Sequence, residues 1–181
     1  MSIAAQLAKQ LRAVYTGGNW TGVCLKDALT GVTWQQATQQ VNSLNTIAKL
    51  VYHINYYVDP ICKVMQGDTL NAHDKYSFDC PPITSEKDWE HLVNKLWADG
   101  ETLASLIEKL PDSKLTETFA DEKYGTYLRN LTGVIEHIHY HLGQIVIIKK
   151  TDLIKPLCGK KKRITYTRNF CLKIFRKPLH L

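Results

Sequence analysis

Residues 126–150 read TYLRNLTGVIEHIHYHLGQIVIIKK, and this stretch decides the fold. Leu128, Leu131, Ile135, Ile138, Leu142 and Ile145 recur at three and four, with Val146 beside them. That interval lines one face of an α-helix, where a strand would alternate in twos. Lys149 and Lys150 suit the negative end of a helix dipole. Inside the same helix stand His137, His139 and His141. Residues at i and i+4 share a face, about 6 Å apart along the axis. His137 and His141 can therefore converge on one ion at ~2.1 Å each. His139 points to nearly the opposite side.

Working outward, three more long helical patterns appear. Residues 3–15 form the first, ended by Gly17-Gly18. Two short amphipathic pieces, about 19–29 and 33–40, lead to a second helix over 45–65. Asn42, Ser43 and Asn45 offer it N-caps and Gly67 a stop. Residues 66–84 read as a polar crossover. A third helix opens at Thr84-Ser85, with Asp88 in capping-box position, and runs to Pro111, with Gly100 marking a kink. Four such helices, with no strand-like alternation before residue 160, predict an all-α, four-helix bundle. The crossover of about twenty residues is long for a hairpin and lets helices two and three run parallel.

Composition agrees. The 181 residues are 44% hydrophobic and 22% charged, with 10 Gly and 6 Pro, which suits one folded domain rather than a disordered chain. The start lacks the run of a signal peptide and no segment is apolar enough to span a membrane, so a cytoplasmic location is expected. The five cysteines are irregularly spaced, without Cys-x-x-Cys, and read as reduced thiols. Residues 1–150 carry 14 Lys and Arg against 16 Asp and Glu, a net of −2. Residues 151–181 carry 9 against 1, a net of +8. The division is thus a helical domain over 1–150 and a basic C-terminal extension over 151–181. Only that extension could support nucleic-acid binding, and a short basic run alone seldom does.

The histidine pair excludes several known sites. A zincin needs Glu after the first His, and here Ile138 follows His137. A di-iron bundle needs two Glu-x-x-His motifs, and only Glu136–His139 is present. A third ligand must come from another helix. His53, mid-helix among apolar residues in LVYHINYYV, is the best candidate, because an unpaired imidazole there is costly. His73, His91 and His180 read as solvated.

TIAKLVYHINYY and GVIEHIHYHLGQI, with NWTGVCLKDALTGVTWQQA before them, resemble the DinB/YfiT-like family of metal-binding bundles, over roughly residues 1–150. The resemblance implies up-down-down-up helix order and a divalent metal, zinc or nickel. It implies the ligands His53, His137 and His141. It also implies homodimers and, among relatives, S-transferases and isomerases that use low-molecular-weight thiols. Three histidines leave open positions on an ion, as catalytic sites do. Bound thiol or water would lose its proton more easily there, giving S-transfer or hydrolysis on a small-molecule substrate. A non-catalytic metal-binding or ligand-sensing bundle is the alternative, and nucleic-acid binding through the extension is the third reading. Tyr56, Tyr57 and Tyr140 are possible polar neighbours of the site, with core packing the expected role of each.

Overall fold

The computed structural model describes residues 1–154, with side chains through residue 151. The remainder of the basic extension, with His180, lies outside the described residues. Those residues are helical, with no strand among them beyond one isolated bridge, Thr118 to Thr126. Six α-helices follow in order: α1 (Ile3–Thr16), α2 (Leu25–Leu29), α3 (Trp34–Thr38), α4 (Ile47–Met65), α5 (Glu86–Glu108) and α6 (Tyr127–Ile154). None of them is long and apolar enough to cross a membrane.

Local chemistry sets the ends. Ser2, Thr33, Thr46 and Ser85 each accept a backbone N–H from the first turn of the helix they precede, satisfying donors that a helix start leaves free. The cap of α4 is therefore Thr46 rather than Asn42, Ser43 or Asn45. Asn42 instead takes a left-handed conformation, φ 51°, which Asn tolerates in turns. The two short pieces are tighter than their amphipathic patterns suggest, because 19–24 fold as a turn in which Asn19 Nδ2 donates to the carbonyls of Ala13 and Val23. The last long helix continues past the Lys149-Lys150 pair to Ile154.

The helix α5 runs without a break through Gly100, the position expected to mark a kink. Gly100 serves packing: a Cβ there would stand 2.3 Å from the ring of Tyr15. The missing side chain lets α1 lay its buried Tyr15 directly on α5, with Trp97 meeting the ring edge-on at 6.0 Å.

The four long helices share one core. α5 packs against α1 and α4, and α6 packs against the same two. Leu11, Leu50, Ile54, Leu96, Leu103, Ile107, Leu131, Ile138 and Ile145 are essentially fully buried in it. The apolar stripe predicted for α6 is thus largely internal, although Leu128 stays partly exposed. Because 3.6 residues make a turn, the stripe that buries Ile138 and Ile145 also turns His137 and His141 toward α4.

Candidate metal centre

His53 on α4 meets His137 and His141 on α6. Each offers one ring nitrogen, and the three nitrogens lie within 4.8 Å of one another. His53 Nε2 and His137 Nε2 are 3.1 Å apart. Two ligands at ~2.1 Å from a tetrahedral ion stand ~3.4 Å apart, so the spacing fits shared coordination. It suits two bare lone pairs poorly, which repel at that distance unless a proton or a cation lies between them. His53 and His141 are buried and His137 is half-buried.

Two of the three rings are oriented by hydrogen bonds. His53 Nδ1–H donates to the carbonyl of Ser77 at 3.1 Å. A carbonyl can only accept, so this fixes the proton on Nδ1 and leaves Nε2 as the lone-pair nitrogen. His141 Nδ1 donates to Gln144 Oε1 at 2.7 Å, with the same result. Metal-ligating imidazoles are commonly held this way. His137 Nδ1 is buried without a partner among the described residues. Its ring is held instead by edge contacts with Tyr57 and His141.

Electrostatics favour neutral rings. Burial, then the neighbouring His141 and His53, push His137 down to about 4. Burial also lowers His53 and His141, against opposing pulls from the Ser77 carbonyl and from Gln144. Neutral imidazole is the form that binds metal.

The other histidines separate cleanly. His139 Nδ1 bonds back to the carbonyl of Ile135, one turn before it, away from the cluster as its position on α6 predicts. His73 and His91 are exposed. The 66–84 crossover is more than a polar connection. Its single 3-10 turn, Asp74–Tyr76, brings the buried Ser77 under His53, and Phe78 stacks on His53 at 3.8 Å and 9°. Neither residue carried a signal in the sequence, because loop geometry leaves no periodicity to read. Gln144 lies three residues beyond His141 on the same helix, a spacing that could have pointed to it. Tyr57 stands edge-on to His53 and His137, with its hydroxyl donating to Asp74 at 3.0 Å. Tyr56 instead anchors the crossover through the backbone of His73, and Tyr140 is largely exposed against His141.

The family model for the DinB superfamily matches residues 7–145, which include all three histidines. The chain belongs to the DinB superfamily. No curated protein and no solved structure matched it. The superfamily is often metal-binding, and three neighbouring histidines that could hold a divalent ion accord with that.

Among the cavities, one of about 490 Å³ has His137 in its wall, with Tyr57, Tyr124, Arg129, Asn130 and Gly133 around it. Two other large cavities, around Tyr15 and Trp97 and between α4 and α5 at Pro81 and Pro82, include none of the three histidines.

Proposed function

We propose that this DinB-superfamily protein binds one divalent metal ion, zinc or nickel, through His53, His137 and His141. We propose further that it uses the ion to activate a low-molecular-weight thiol or water. The observation that carries the reading is the convergence of three largely buried imidazoles within 4.8 Å of one another, with burial lowering the pKa of each toward the neutral form. An ion held by three protein ligands keeps an open position and supplies Lewis acidity that lowers the pKa of a thiol or water.

The chain's own residues prepare the site. The Ser77 carbonyl and Gln144 hold two rings with Nε2 turned inward. Phe78 covers one face of His53 and limits water there. Burial pushes the Tyr57 hydroxyl up, so Tyr57 keeps its proton and its bond to Asp74.

Helix order belongs to the same reading: an up-down-down-up four-helix bundle. Support comes from pairs along the helices. Arg12 reaches Glu101 and Glu108 while Asp112, beyond the end of α5, accepts from the N–H groups of Ile3 and Ala4, which suits antiparallel α1 and α5. His53, in the first half of α4, meets His141 midway along α6, and Val64 at the end of α4 clusters with Tyr127 at the start of α6, which suits antiparallel α4 and α6. Cys80, just before α5, lies at the carbonyl of Ala48 near the start of α4, as parallel α4 and α5 require.

Elemental analysis tests the ligand set. His53→Ala, His137→Ala and His141→Ala are each expected to lower bound metal several-fold, and His139→Ala to leave it unchanged. Full retention in the His53 variant would remove that residue from the set. The burial of His53 and His141 also fits a second reading, a non-catalytic ligand-sensing or structural site. Binding of thiols to the cobalt-loaded protein, seen as a new charge-transfer band, would favour the enzyme; no response to any thiol, together with no hydrolysis of activated esters by the metal-loaded protein, would favour the second reading.

A further inference from the structure

The face of α6 that carries His137 continues toward its N-terminus as Gly133 and Arg129, each one turn earlier. A Cβ added at Gly133 meets nothing within 4 Å, so the helix leaves open floor beside His137. Arg129 then borders that floor. Its Nη1 donates to the carbonyl of Tyr124 at 2.8 Å. Its Cδ lies 3.0 Å from where a Cβ at Gly125 would stand, and Gly125 has φ 73°, so glycine gives both the turn and the space for the stem. The guanidinium is thus held in place by a neutral carbonyl. Among the described residues it makes no ion pair, although Glu136 lines the same cleft.

An anchored guanidinium with unused donors is suited to a carboxylate or phosphate. It stands eight residues before His137, ~12 Å along the helix axis. That span equals roughly three or four residues of extended chain. Arg129, Gly133 and His137 all line the one cavity of about 490 Å³, so that groove runs along α6 and can accept an elongated ligand.

We propose that this groove binds the substrate or thiol end-on. The anionic group of the ligand sits at Arg129, its chain crosses Gly133, and its reacting end lies at His137. The ligand class is then an extended small molecule carrying a carboxylate or phosphate far from its reacting atom. The orientation at His137 rests on the metal-site reading above, while the anion site at Arg129 does not.

The experiment uses two protein forms and one matched pair of thiols, mercaptohexanoate and mercaptohexanol. In cobalt-loaded protein, whose metal content is measured first, the thiolate band is expected to saturate at about tenfold lower concentration for the carboxylate. Arg129→Gln is expected to abolish that preference without changing metal content, and Arg129→Lys to keep part of it. Gly133→Leu is expected to weaken both thiols. Short mercaptopropionate, unable to span the groove, is expected to gain nothing from Arg129. Equal affinity of the matched pair in the parent protein, or a preference that survives in Arg129→Gln, overturns the proposal. In metal-free protein, titration with hexanoate is expected to shift the Arg129 Nε–H and Gly133 amide resonances. Absent shifts overturn the anion site. Shifts in a protein that binds no metal sustain it while the metal reading fails.

Discussion

His53, His137 and His141 are alike as residues and differ in what holds them. His141 is the most simply oriented, by a single side chain on its own helix, Gln144 at 2.7 Å. Outer hydrogen bonds of this type contribute about 10–100-fold in metal affinity. Gln144→Ala is therefore expected to weaken metal binding at least about tenfold in competition with a chromophoric chelator, with Gln144→Glu restoring most of it. The pairing of His137 with His141 was legible in the sequence, since their spacing follows from helical geometry alone. His53 was legible as a mid-helix imidazole in apolar company. The Ser77 carbonyl that fixes its tautomer was not, because a backbone acceptor carries no side-chain identity and reaches His53 across 24 positions.

At the scale of elements, two of the three glycines within the long helices, Gly100 and Gly133, behave oppositely. Glycine normally costs a helix about 1 kcal/mol relative to alanine. At Gly133 the space is open, so Gly133→Ala is expected to raise the unfolding free energy by up to about 1 kcal/mol, read as a higher urea midpoint. At Gly100 the new methyl would enter the buried Tyr15 ring. Overpacking costs about 1–3 kcal/mol and outweighs the propensity gain, so Gly100→Ala is expected to lower the midpoint. Equal behaviour of the two variants would mean that Tyr15 can move aside. Gly100 in the sequence looked like a kink because composition records the weakness of glycine within a helix and not its neighbour. The helices themselves were legible from their apolar spacing. Their caps were not fully so: several polar residues compete in 42–46, and only tertiary context selects Thr46.

For the whole molecule, burial of three imidazoles couples stability to pH. The unfolded chain binds a proton on each near the ordinary value of 6.5, while His137 in the fold waits until about 4 and His53 and His141 are also lowered. Between those limits the unfolded state holds more protons, so stability falls as pH falls. Well above 6.5 all three are neutral in both states and contribute no slope. Metal-free protein is expected to lose stability steadily from pH 6.5 toward 5, above the range of ordinary carboxylates, and His137→Gln to flatten part of that slope. A pH-independent urea midpoint across this window would mean the rings charge freely in the fold.

The placement of Ser77 and Phe78 has a consequence in time. Helices α4 and α6 are locked into the core, but the crossover that backs His53 is short 3-10 turn and loop with an exposed Asp74–Tyr76 segment. Segments of that kind open at lower free energy than packed helices. On the proposed metal reading, the residence time of an ion at the three histidines would be set by how often the crossover peels from α4. A protease cut within 66–84 would leave the ligands in place and shorten that residence time.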